Sequence, residues 1–308
     1  MQLPDRIQRG IEKRAATLEF AQLKRAAAEI SRAYREGGVP DLGTAERVAA
    51  YLITRMPATY AAADRVFEEV RGRLENVAIT SVLDVGAGSG ASTLAAQGWF
   101  EPSRITLIER NAAMAEVARE FLPKVEIRRE DFARPEALDP HDLVIASYAL
   151  CEAERPEVVL RLWAAARVAL IVIEPGTPQG FARIRAIRRR LLDSGAHMVA
   201  PCPGAQDCPM SGRDWCHFAA RVERTSLHRR LKEAELNYED EKFSYVAVAR
   251  QPGSPADARI IRRPRHQPGL IVLETCTPDG VQTVRTSKRD REKFPAARKA
   301  VWGGEFGG

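Results

Sequence analysis

The chain has 308 residues, 45% of them hydrophobic and 29% charged, which sets it among globular proteins with one sizeable core plus appendages. No run approaches the roughly 18 uninterrupted apolar residues of a membrane span, and the longest apolar stretch, Val168 to Ile173, is strand-sized, so no membrane contact is expected. The net charge of +6 is concentrated: residues 258 to 299 hold eleven Lys or Arg against four acids, as expected where one end meets a polyanion, with a solvated tail as the alternative.

In chain order, residues 3 to 36 read as one helix, with Leu3, Ile7, Ile11, Leu18, Leu23 and Ile30 near helical spacing and Gly37-Gly38-Val39-Pro40 ending it. The absence of an apolar signal core at the start, together with Asp5, Glu12 and Glu19, predicts a bacterial cytoplasmic setting. Helices are predicted over Thr44 to Thr54 and Tyr60 to Asn76. From Ile79 short apolar runs alternate with helical segments. The predicted strands are Ser81 to Val85, Arg104 to Glu109, Val125 to Arg129, Leu143 to Ser147, Ala169 to Glu174 and Tyr245 to Arg250. Helices fit Ala91 to Gly98, Ala112 to Phe121, Pro156 to Ala166, Gly180 to Ser194 and Ser226 to Ala234, giving an α/β fold with a doubly wound sheet. His197 to Phe218, broken by Pro201, Pro203, Gly204, Pro209 and Gly212, reads as an insertion. A Gln-Pro-Gly-Ser-Pro linker after Arg250 leads to a small β extension and the basic tail. The predicted organisation is a helical region 1–76, an α/β domain 77–250 carrying the insertion 197–218, and an extension 251–308.

Val82-Leu83-Asp84-Val85-Gly86-Ala87-Gly88-Ser89-Gly90 is a buried strand entering a turn that only small residues permit, then a helix whose N-terminus favours anionic groups. Its glycine spacing departs from the dinucleotide fingerprint. It resembles motif I of class I S-adenosylmethionine-dependent methyltransferases, with Asp84 as the acidic residue two positions before the first glycine. Glu109, ending the next strand, is placed to accept hydrogen bonds from ribose hydroxyls. Asp131 follows the third strand, where such enzymes often carry an acid near the adenine amino group. At the end of the fourth strand, Ser147-Tyr148-Ala149-Leu150 stands where amino-directed nucleic-acid methyltransferases have an Asn- or Asp-Pro-Pro-aromatic tetrad. Cys151 reads as a small buried thiol.

Cys202, Cys208, Cys216 and Cys276 are spaced by 6, 8 and 60 residues. Four thiolates can close a tetrahedral zinc site or hold a four-iron cluster. The Cys202-Pro203 and Cys208-Pro209 pairs suit an iron-sulfur loop better than the paired Cys-x-x-Cys knuckles of a zinc ribbon, which the chain lacks. His197 and His217 are spare ligand candidates.

The order of Met56-Pro57-Ala58-Thr59-Tyr60, the loop from Asp84 to Gly90, Glu174-Pro175-Gly176-Thr177, the two Cys-Pro pairs, Trp215-Cys216-His217-Phe218, Cys276 and a basic end resembles the methyltransferase-like proteins of the mitochondrial ribosomal small subunit and their bacterial relatives. The resemblance implies a class I methyltransferase fold, S-adenosylmethionine as cofactor, and a [4Fe-4S] cluster on Cys202, Cys208, Cys216 and Cys276. It also implies small-subunit assembly through ribosomal RNA contact, with rRNA methylation as the further activity and a monomer outside the ribosome. Arg183, Arg185, Arg188, Arg189 and Arg190 would then place a basic RNA-facing helix beside the cysteines, or a merely solvated face. A small-molecule methyltransferase with a structural zinc is the alternative.

Overall fold

A computed structural model describes residues 1–74, 77–134, 136–151 and 157–307; the expected boundaries at Asn76 and Pro156 and the last residue of the C-terminal extension lie outside them. In place of the single N-terminal helix there are two, α1 (Asp5–Ala15) and α2 (Phe20–Arg35). Ala15 and Leu23, both buried, lie two helical turns apart in number, so the apolar pattern runs unbroken across the gap and hides it. The Thr44 hydroxyl caps α3 (Ala45–Thr54) by accepting the Arg47 N–H at 3.3 Å, and α4 (Met56–Arg73) starts with Pro57 in its first turn, where no N–H is needed.

The sheet is built from β1 (Ser81–Val85), β2 (Arg104–Ile108), β3 (Glu126–Arg128), β4 (His141–Ser147), β5 (Ala166–Pro175), β6 (His197–Ala200), β7 (Phe218–Glu223) and β8 (Tyr238–Ala249). The intervening helices are α5 (Ala91–Phe100), α6 (Ala112–Phe121), α7 (Val158–Ala165), α8 (Pro178–Asp193) and α9 (Ser226–Lys232). The strand order is β3-β2-β1-β4-β5-β8-β6, parallel from β3 to β5, with β8 antiparallel to β5 and β7 also paired to β8. This is the doubly wound class I methyltransferase arrangement expected from the sequence.

Side chains alternate across the sheet, as the two-residue strand period demands. Val82, Leu143, Ile145, Ile171 and Ala247 pack with α1 to α6, whereas Leu83, Val144, Leu170, Val172 and Val248 pack with α7 and α8. The N-terminal helices thus belong to the main core.

Strands β6 and β7 share one edge of the long β8. Ala200 pairs with Ala247 and Phe218 with Phe243, so only a few residues of β8 separate two pieces of what is in effect one interrupted strand. The cysteine-bearing segment is the excursion between them. Beyond β8, β9 (Arg259–Ile260), β10 (Arg265–Gln267), β11 (Leu270–Thr277) and β12 (Gly280–Ser287) form a second sheet, and α10 (Lys293–Lys299) packs on it through Ala297. Arg259 joins this sheet to the rest. Its side chain is fully buried, pairs with Glu69 of α4 at 2.5 Å, and donates to the carbonyls of Pro201 at 3.0 Å and Gly303 at 2.9 Å.

Candidate functional site

The order reverses between β1 and β4, and ligands of open α/β sheets bind at such a switch point, beyond the carboxyl ends of the strands. There a cavity of about 140 Å³ is walled by the loop after β1, Glu109 after β2, Phe132 after β3, and Ser147 and Tyr148 after β4. Tyr34, Val39, Pro40 and Leu42, from the end of α2 and the segment after it, cover it. No sequence motif marks that cover.

Gly86, Gly88 and Gly90 all have positive φ, at +63°, +56° and +81°, a conformation that side chains oppose. A Cβ on Gly86 would lie 2.7 Å from that of Ala149, and one on Gly90 would strike Leu122. Glu109 ties the loop to β2: its Oε2 accepts the Gly88 N–H at 2.8 Å and its Oε1 the Asn111 N–H at 2.6 Å. Asp84 is fully buried, with Oδ2 accepting the Thr93 hydroxyl at 2.7 Å, and burial pushes its pKa up to about 7. Asp131 turns away from this group. Its carboxylate accepts the Ala133 N–H at 2.9 Å, and its neighbours Glu130 and Phe132 line the cavity instead.

Three buried polar atoms on the cavity wall, Asp84 Oδ1, Ser92 Oγ and Ser147 Oγ, have no hydrogen-bond partner among the described residues. Buried polar groups are rarely left so. A glycine cradle, a carboxylate at the end of β2 and unsatisfied acceptors and donors fit a small ligand with amino and hydroxyl groups, such as a nucleoside carrying an amino-acid side arm. Ser92 escapes sequence reasoning because a single serine carries no signal until the elements meet, whereas Ser147 is reached only as the start of the segment standing in the tetrad's place. Tyr148 is held with φ +56°, its hydroxyl donating to Glu241 at 3.0 Å, and Glu241 pairs with Arg55 at 3.3 Å. Cys151 is exposed, contrary to the buried thiol expected, and its Sγ lies 3.2 Å from the Tyr148 carbonyl.

The four spaced cysteines line a second cavity, of about 40 Å³, bounded also by Phe181, Ile184 and Met210. Three come from the β6–β7 excursion and Cys276 from β11. The excursion is held by its carbonyls: Arg188 Nη2 donates to Gly204 O at 2.9 Å and Gln206 O at 2.7 Å, and Arg185 donates to Met210 O at 3.1 Å. Ser244 of β8 donates to Cys216 O at 2.8 Å. Burial, reinforced by the neighbouring thiols, pushes Cys216 well above the usual thiol range and Cys276 up to about 11. A thiol that takes up a metal or cluster gives up its proton, so loading of such a site is coupled to pH. Among the described residues no three His, Cys, Asp or Glu side chains converge closely enough to hold a single metal ion, so the thiols share a wall without closing to single-ion spacing. His217 stacks on Trp215 and His197 is exposed; neither lines the thiol cavity.

The arginines of α8 do not form one basic face. Arg183 pairs with the buried Glu174 at 2.6 Å, Arg185 and Arg188 serve the cysteine segment, and Arg189 and Arg190 face solvent. In the C-terminal section Arg259 is buried, Arg262 pairs with Asp214, Arg263 with Asp240 and Arg265 with Glu274.

A glycine-loop cavity at the switch point of this sheet defines a protein of class I methyltransferase fold. Residues 45–307 match the family described as mitochondrial small ribosomal subunit Rsm22, and the chain belongs to that family. It is 28% identical over 290 residues to the human ribosome assembly protein METTL17, mitochondrial, covering 82% of this chain and 61% of that protein. It is 23% identical over 329 residues to the Rsm22-cox11 tandem protein 2, mitochondrial, of Schizosaccharomyces pombe, covering 85% of this chain and 43% of the relative. Of these relatives' own lengths the chain therefore spans less than two thirds. Solved structures similar to it include plantazolicin methyltransferase BpumL (TM-score 0.48, 7% identity, 75% of this chain and 98% of that one). Precorrin-6y C5,15-methyltransferase of Geobacter metallireducens is another (TM-score 0.40, 17% identity, 60% and 87%).

The family and both relatives are mitochondrial by name, which overturns the bacterial cytoplasmic setting predicted from the first residues. Asp5 and Glu12 lie on the exposed face of α1, whose other face buries Ile7 and Ile11, so their charges report on that helix and carry no address. Among the described residues no helix is long and apolar enough to cross a membrane.

Proposed function

We propose that this protein is a small-ribosomal-subunit assembly factor that binds S-adenosylmethionine in the glycine-loop cavity and an inorganic cluster on its four spaced cysteines. The observation that carries the ribosomal reading is the family match over residues 45–307, whose description names the small subunit. The mitochondrial setting is carried over from the same relatives. Asp84, Glu109 and the backbone of Gly86, Gly88 and Gly90 would hold the cofactor, which when bound supplies an electrophilic methyl group. Ser147 and Tyr148 occupy the position from which a methyl acceptor is oriented. Tyr148 is tied to Glu241 there and presents no carbonyl acceptor of the Asn-Pro-Pro kind, so binding without transfer is the reading favoured over rRNA methylation.

Cys202, Cys208, Cys216 and Cys276 would hold a [4Fe-4S] cluster. What supports the reading is that the four thiols line one cavity and that two of them precede proline, Cys202-Pro203 and Cys208-Pro209, in a chain without paired Cys-x-x-Cys knuckles. Metal and sulfide analysis of anaerobically purified protein tests this directly: iron with acid-labile sulfide is expected, and one equivalent of zinc alone would replace the cluster with the zinc alternative. Cys208→Ser is expected to abolish visible absorbance and weaken association with small-subunit precursors. Unchanged association would break the link between the cysteines and ribosome binding. Calorimetric titration with S-adenosylmethionine should show one site, lost in Glu109→Ala; no heat with the unaltered chain would reject the cofactor.

A further inference from the structure

Outside both cavities, an open groove of about 390 Å³ runs between α8 and the segment leading to Cys216. Phe181, Arg185 and Arg189 form one wall, and Gly212, Arg213 and Trp215 the other. The acid in its lining, Asp214, is paired with Arg262, so the groove is positive. Arg213 is exposed and has no side-chain partner among the described residues. Arg189 reaches Asp193 only at 4.0 Å, and Arg185 spends one nitrogen on Met210 O. Trp215 is fixed by its Nε1 donating to Gly176 O at 3.0 Å and by His217 stacked against one face, centroids 5.2 Å apart. The indole is half-buried, packed against the Phe181, Met210 and Ile261 cluster, and it lines the groove with the part that stays exposed.

We propose that this groove holds a short stretch of single-stranded RNA, phosphates on Arg185, Arg189 and Arg213 and one base against Trp215; it rests on the ribosomal reading above. Three guanidiniums beside an anchored aromatic ring are the composite that binds single strands, since a guanidinium matches phosphate in plane and every base offers a face to stack. A duplex, its bases already stacked and its major groove too narrow for side chains, cannot use Trp215 in this way. An acidic peptide would use the arginines but leave the indole without a planar partner. One wall belongs to the cysteine segment, so whatever orders that segment also sets the distance from Arg213 to Arg189.

The test uses the full chain, a labelled single-stranded oligouridylate and a duplex RNA of equal length. Binding of the single strand should quench the part of the tryptophan fluorescence that Trp215→Phe removes, and the duplex should not. Arg189→Ala with Arg213→Ala should weaken the single strand about tenfold and flatten the slope of log affinity against log salt by about 1.4, two phosphates at roughly 0.7 each. Both arginines are exposed and hold no other element, so far-ultraviolet dichroism of the pair variant should match the unaltered chain. Lys288→Ala with Arg289→Ala, on the turn before α10, should keep the quench. An unchanged affinity and slope in the arginine pair variant would overturn the groove while leaving RNA binding in place; no RNA binding by the unaltered chain would overturn the ribosomal reading itself.

Discussion

Asp84 and Glu174 are the two carboxyls that burial lifts to about 7, and both keep an oxygen without a hydrogen-bond partner among the described residues. Their folded pKa values lie above the unfolded ones, so between about pH 4 and 7 the native state binds more protons than the unfolded chain. Stability contributed by these groups therefore falls as pH rises through that window, by at most about 1.4 kcal/mol per pH unit for each. Asp84→Asn, followed by thermal unfolding from pH 4 to 8, should melt higher than the unaltered chain at pH 8 and converge with it at pH 4. A variant that melts lower at pH 8 would show the charge to be held rather than tolerated. At the glycines the sign depends on place. Gly86→Ala, blocked by Ala149 and by its positive φ, should cost about 1–3 kcal/mol in chemical unfolding. Gly98→Ala, in the last turns of α5 with nothing within 4 Å of the added carbon, should add about 0.4–1 kcal/mol. The glycine loop was legible because its requirement is local, small residues at fixed offsets after an apolar strand. Ser92 and the α2 cover were not, because their role exists only once distant elements are brought together.

At the scale of elements, α8 and β8 do more than fill their layer. Helix α8 pins the cysteine segment by its arginines, and β8 carries the two halves of the interrupted strand on one edge. Arg188→Ala removes a buried donor from two carbonyls at once and should cost about 2–3 kcal/mol. Limited proteolysis reads the effect: cleavage between residues 203 and 214 should speed up relative to the rest, and uniform cleavage would show the arginine to be dispensable. The parallel strands were readable as short apolar runs, and α9 as one of the helical segments that fit between strands. Strands β6 and β7 were not, because the prolines and glycines between them give a composition that reads as loop from His197 to Phe218 and mask the short pairs at its ends. Helix α10 was hidden likewise: charge dominates its surroundings, and only Ala297 is buried. Charge was legible as a sum along the sequence, whereas its use was not, since whether an arginine meets solvent or a carbonyl depends on which turn of α8 faces the sheet.

For the molecule as a whole, the second sheet depends on Arg259, whose side chain touches α4, the cysteine segment and Gly303 together. Arg259→Met keeps the volume but leaves the carbonyls of Pro201 and Gly303 without this donor and Glu69 with Arg73 alone. A loss of about 3–5 kcal/mol is expected, as when one partner of a buried pair is removed. Urea unfolding should then split into two transitions, the β9–β12 sheet releasing first; a single transition at the original midpoint would show the joint to be redundant. The position of Cys276 on β11 has a temporal side. During synthesis Cys202, Cys208 and Cys216 are made with the α/β sheet, and the pocket stays open on its fourth side until a strand belonging to a different sheet has been made and docked. A chain interrupted before residue 276 cannot close that pocket, however well its main sheet folds, so the four-thiol wall is a certificate of completion written into the fold.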